Sequence, residues 1–257
     1  MVVTVLGPVR RLRLWLTWWR IAGLGGLFYA VGSAAVILSP SREFFRTTFR
    51  VGRVATYFND RADAVLQAAY LESILAGILL LVFASGLRSY LSRAEGGYSM
   101  WSHLVLAAAG VGAAATLMVV PFAQTLALVD AATIVESILH AGIWFAEVVR
   151  TTIAIPIAAM VLSASLIDAK TRVFGGAVAI MGLLAAFTSI IGAAWPLIGT
   201  PVGILGFLMA FGQILTVAWF AVVGVKMIRV HQPPLHMPGE GLFDPAPIVE
   251  GWTNKSA

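Results

Sequence analysis

Between Arg172 and Lys226 the chain carries no Asp, Glu, Lys or Arg. Two apolar runs, Val173–Ile191 and Val202–Val225, flank an uncharged turn, Gly192 to Pro201, that holds Trp195, Pro196, Gly199 and Pro201. A helix rises about 1.5 Å per residue, so each run is long enough to cover the roughly 30 Å hydrocarbon core of a bilayer. In lipid every backbone N–H and C=O needs a partner within the protein, and a helix supplies one locally. The stretch therefore reads as a transmembrane helical hairpin.

Composition extends that reading to the whole chain. Apolar residues make up 60% and charged residues 11% of it, against about 45–50% and about 25% in soluble domains. The net charge of +5 does not imply nucleic-acid binding, because the basic residues cluster beside apolar runs, as membrane orientation requires. With no cysteine, disulfides, iron–sulfur clusters, thiolate zinc sites and covalent c-type haem are excluded.

Six spans are expected, at about 21–38, 66–87, 104–129, 151–167, 173–191 and 202–228, in an all-α polytopic bundle. Residues 1–20 form a basic and aromatic interfacial segment in which Arg10, Arg11, Arg13 and Arg20 alternate with Trp15, Trp18 and Trp19, suited to the headgroup layer. Ile21–Leu38 is longer than the apolar region of a cleavable signal and is read as a retained span. Its Ala22, Gly26, Ala30 and Ala34 recur every fourth residue and offer a smooth stripe to a neighbouring helix. Residues 231–257, rich in proline and glycine, are expected to form an extended cytoplasmic tail.

An amphipathic helix is expected in the first outer loop. Arg42, Arg46, Arg50 and Arg53 share one face, opposite Phe44, Val51 and Phe58, a pattern that lays a helix in the interface and favours anionic lipids. A second amphipathic helix is expected before span four, opened by Thr133-Ile-Val-Glu136, which has capping-box spacing. Pro121 and Pro156 should bend spans three and four. With both termini on one side, Arg10, Arg11, Arg13, Arg20, Arg88, Arg93, Lys170, Arg172, Lys226, Arg229 and Lys255 face the cytoplasm. Arg42, Arg46, Arg50, Arg53, Arg61 and Arg150 lie outside. The larger basic count inside supports that orientation.

Polar residues within the spans are the candidates for function. Glu72 lies inside span two. Gln124, Asp130 and Arg150 lie toward the same outer side, and Glu72 and Arg150 are placed to pair. Gln213 sits near the middle of span six, where its amide can bond across helices. Glu136, His140 and Glu147, four and seven residues apart, share a helix face, and two carboxylates with an imidazole are a possible metal set. No phosphate-binding loop, nucleophile elbow or zinc-protease motif occurs, and no bound cofactor is implied.

Several strings carry a resemblance. They are Arg20-Ile-Ala-Gly, Tyr57-Phe-Asn-Asp-Arg61, Leu87-Arg-Ser-Tyr-Leu-Ser-Arg-Ala-Glu-Gly-Gly97, Arg172-Val-Phe-Gly-Gly and the stretch from Trp219 to Arg229. Together they resemble a group of uncharacterised bacterial six-span membrane proteins known only as a domain of unknown function. The resemblance implies six helices in a bacterial plasma membrane and brings no established activity. Three functional classes follow. The first is a scaffold or accessory membrane subunit, whose partners are the bilayer, another membrane protein or a second copy. The second is a small-solute permease using the outer polar cluster. The third is a metal-dependent intramembrane enzyme.

Overall fold

The computed structural model describes residues 18–38, 60, 62–96, 100–128, 136–194 and 203–229. Its helices are α1 (Trp18–Leu38), α2 (Ala62–Ile74), α3 (Leu80–Ala94), α4 (Met100–Leu128), α5 (Glu136–Thr171), α6 (Gly176–Gly192) and α7 (Ile204–Arg229). Between α2 and α3 the chain makes one π-helical turn, Leu75–Leu79, in which the Leu80 N–H donates to the Leu75 carbonyl. The register shifts there without a break, so α2, the π turn and α3 form one rod. Among the described residues four helical stretches are long and apolar enough to cross a membrane: Ala62–Ala94, Met100–Pro121, Thr151–Thr171 and Ile204–Arg229. Helix α6 is apolar but shorter, and α1 has 21 residues.

The described helices close into a ring. The rod packs on α1 and α4, α4 on α5, α5 on α6, α6 on α7, and α7 returns to α1. Each helix thus neighbours the next in sequence, with the last sealed against the first. The axis is filled by aromatic side chains. Phe83 meets Trp219 edge-on at 6.3 Å and Phe220 at 5.0 Å, and Tyr29 meets Phe220 at 4.7 Å.

Small residues let these helices approach. A Cβ placed on Gly86 would lie 2.1 Å from the Ala22 Cβ, and one on Gly26 would lie 2.4 Å from the Phe83 ring. The Ala22–Gly26–Ala30 stripe of α1 is therefore its contact with the rod. One residue along, a Cβ on Gly23 would sit 2.7 Å from the Gly224 carbonyl oxygen, so α1 and α7 touch backbone to backbone. Without a hydrophobic driving force between helices in lipid, such close packing is what holds them together.

Several boundaries differ from those expected. The rod does not stop at Arg88 but continues to Ala94, which shortens the loop expected over 88–103. Leu87, Tyr90, Leu91 and Ala94 recur at helical spacing and are all buried, so an amphipathic turn carries the helix past its first charge. The helix expected before span four is not separate from it: from Glu136 onward α5 runs unbroken through Arg150 and Pro156 to Thr171. Helix α6 starts three residues later than expected, because Arg172 (φ 53°) and Gly175 (φ 98°) turn the chain between α5 and α6. The amphipathic helix expected around Arg42, Arg46, Arg50 and Arg53, the interfacial segment before Trp18 and the tail after Arg229 lie outside the described residues.

Candidate functional site

The start of α1, the end of α3, the start of α4, the end of α5, the start of α6 and the end of α7 lie together. This end carries Arg20, Arg88, Arg93, Lys170, Arg172, Lys226 and Arg229 and is termed the basic end; the opposite one is the far end. At the basic end Arg93 lies over the Trp19 ring, 4.9 Å from its centroid, joining α3 to α1. Arg88 Nη2 donates to His103 Nε2 at 2.9 Å, joining α3 to α4.

Beneath these surface contacts is a buried polar centre built on the α5–α6 turn. Asp168 is 1% exposed. Its Oδ1 accepts the Phe174 N–H at 2.6 Å and the Gly175 N–H at 3.1 Å, satisfying the donor of α6's N-cap residue and that of the residue before it. The Lys226 ammonium, arriving from α7, donates to the Phe174 carbonyl. Opposite charges therefore hold the N–H and the C=O of one residue. The Phe174 ring, fixed in this way, stacks on Tyr90 of α3 with centroids 5.2 Å apart and planes 14° from parallel.

Four polar atoms in this region are buried without a hydrogen-bond partner: Asp168 Oδ2, Tyr90 OH, Ser165 Oγ and Trp219 Nε1. They fall in two adjoining pairs, Asp168 with Tyr90 at the α5–α6 turn and Ser165 with Trp219 at Gly182, about two helical turns further along α6. Ser165 and Asp168 are three residues apart on α5 and share a face. A Cβ on Gly182 of α6 would lie 1.9 Å from Ser165 Oγ and 2.7 Å from Trp219 Nε1, so both atoms converge on that glycine. Phe83, which meets Trp219, is seven residues before Tyr90 on the same face of the rod. An unpaired buried polar atom costs on the order of 1–3 kcal/mol, and native structures hold few of them.

The residues marked from sequence fall differently. Glu72 is half-buried on α2 beside α1, within the electrostatic reach of Tyr29, whose hydroxyl is hydrogen-bonded to Ser33. Gln213 is half-buried on α7, seven residues before Phe220 and so on the face that meets Tyr29. Gln124 is half-buried near the far end of α4. Asp130 lies outside the described residues, and so do the side chains of Glu136, His140, Glu147 and Arg150, although their backbones belong to α5. Among the described residues no three His, Asp or Glu side chains form a metal-binding group.

Tyr90, Ser165 and Trp219 were not legible as candidates. Each is a common residue in an apolar run, and only contacts between distant segments bring them together. Asp168 stands one residue past the expected fourth span, in a turn with Lys170 and Arg172. The available hint was its position seven residues before Gly175-Gly176, the spacing of a carboxylate that folds back to cap the next helix.

Apolar rods of membrane length, closed into a ring around an aromatic axis, define a helical membrane protein. No family model, curated protein or solved structure matches the chain.

Proposed function

We propose that the protein is a six-span integral membrane scaffold or accessory subunit, with α1 and α6 as the remaining two spans and both termini in the cytoplasm of a bacterial plasma membrane. The observation that carries this reading is the filled axis. Phe83, Trp219 and Phe220 are at most 1% exposed, and a solute path along the ring would have to displace them. A rigid ring with apolar outer faces suits packing against lipid and against another membrane protein. Membership of the bacterial six-span family resembled by the short strings belongs to the same reading.

Two experiments test it. The natural absence of cysteine gives a clean background for single-cysteine labelling. Thr4→Cys and Lys255→Cys should both react with an impermeant maleimide only from the cytoplasmic side. Labelling of the two from opposite sides overturns the even span count. Crosslinking in intact membranes should then give one defined heteromeric or homomeric product at fixed stoichiometry, whereas a monomer under all conditions overturns the scaffold reading.

A permease is the second reading, favoured by Glu72. It lies six residues, about 9 Å along the helix axis, from the rod's midpoint at Ile78, next to the π turn. Turns of this kind often mark functional positions, and a carboxylate at this depth is costly unless used or paired. In reconstituted vesicles, solute-dependent proton or cation flux abolished by Glu72→Gln would favour this reading. Flux indifferent to that substitution would remove it.

A further inference from the structure

Four of the buried atoms without a hydrogen-bond partner lie along α3, α5 and α7 inward of the α5–α6 turn, and the Phe174 ring stacks on the residue that carries one of them, Tyr90. Asp168 Oδ2 is an acceptor, Trp219 Nε1 is a donor, and the Tyr90 and Ser165 hydroxyls can act as either. All four residues are at most 1% exposed, so the closed structure bears the desolvation cost of each group without recovering it in a bond. A state that admits a polar molecule would recover it. The Phe174 ring lies flat against Tyr90, and its backbone is held by Asp168 on one side and Lys226 on the other. Neither hold belongs to helix propagation: one is a side-chain cap, the other a lysine reaching across from α7. The turn between them already uses two residues with positive φ, Arg172 and Gly175, a short segment on which a ring can swing without disturbing α5 or α6.

We propose that Tyr90, Ser165, Asp168 and Trp219 form an occluded polar site, with Phe174 as its lid and the Asp168 and Lys226 contacts to the Phe174 peptide as the latch. Because Asp168 and Lys226 offset each other's charge, the occupant is a small neutral molecule offering both a hydrogen-bond donor and an acceptor. Water is the smallest member of that class. The site lies at the basic end, away from Glu72, and does not rest on the scaffold reading.

Hydroxyl-radical footprinting of the full chain in nanodiscs, read by mass spectrometry, uses water itself as the probe. Phe83 and Phe220 are equally buried aromatics with no polar atom and serve as internal references. In Lys226→Met, oxidation of Tyr90 and Trp219 relative to those references should rise about tenfold, the factor expected when a charge-assisted hydrogen bond is lost from a closed state. Phe174→Ala should raise it at least as much. Asp168→Asn should give a smaller rise at the same two residues, and Lys226→Arg should retain wild-type labelling. Unchanged ratios in Lys226→Met and Phe174→Ala overturn the lid, and so does an equal rise at all four aromatics, which would report general loosening. Should Lys226→Met fail to fold, Phe174→Ala decides by the same ratio.

Discussion

The two halves of this bundle are built from similar amino acids and packed differently. On α7 the half nearer the basic end buries Trp219, Phe220, Val223 and Met227 almost completely, while toward the far end Ile204 is 75% and Phe207 66% exposed. Helix α5 repeats the contrast: Met160, Val161, Ala164 and Ile167 are buried, whereas Phe145 is 53% exposed. In the rod, α3 buries a continuous stripe, but α2 buries only Ala69. Hydrophobicity does not distinguish the halves. Phe207 and Phe220 are the same residue on the same helix, one turned outward to the hydrocarbon and one inward to the axis. In lipid an outward phenylalanine costs little, so burial follows shape, with glycines where helices cross and aromatics filling the space left over.

That comparison is most easily broken at Trp219. Its replacement by alanine removes the largest buried side chain and should destabilise the protein by about 3–5 kcal/mol, while Phe207→Ala should stay within about 0.5 kcal/mol. Thermal unfolding in detergent, followed by near-ultraviolet circular dichroism, would show equal losses for the two if the basic half were not the stabilising one.

Gly182→Val should come next. Its side chain would collide with Ser165 and Trp219, and overpacking of this kind typically costs about 1–3 kcal/mol. Gly77 is the control on the rod, where an added Cβ would find only the Leu117 side chain at 3.7 Å. Gly77→Ala should leave the midpoint nearly unchanged, and a drop as large as that of Gly182→Val would contradict the packing described here.

Asp168→Ala tests the turn rather than the core. It leaves the Phe174 and Gly175 donors without their acceptor and should lower stability by about 1–2 kcal/mol, the usual loss of a helix cap. Hydrogen exchange read by mass spectrometry should localise the change to the α5–α6 turn; faster exchange along the whole of α2 instead would argue against a local role.

The smallest effect expected is a gain. Arg172 holds φ 53° without glycine's freedom, so Arg172→Gly should relieve about 1 kcal/mol of backbone strain, offset in part by the greater freedom of glycine in the unfolded chain. A fall in melting midpoint of several degrees would show that the arginine side chain contributes more than its backbone costs.

The membrane character was legible because it depends on composition and run length, which tertiary contacts cannot alter. The small-residue stripe of α1 was legible for a related reason: it is a local pattern with a local cause. The extent of the rod was not legible: the expected span stops at 87, before the first charge, whereas residues buried by the fold carry the helix on to Ala94. The polar centre was out of reach, since Tyr90, Asp168, Phe174 and Lys226 are joined only by the closure of the ring, whereas Glu72, a carboxylate inside an apolar run, is visible without a fold.

By itself the amino-acid order determined the solvent this chain is made for and the positions of most of its helices, because backbone groups in hydrocarbon must bond within their own segment. Only the tertiary structure decided which aromatic residues fill the axis, which half of the bundle is tightly packed and which charge holds the α5–α6 turn. Those outcomes depend on how closely one helix can approach another, which is set jointly by residues far apart in the chain.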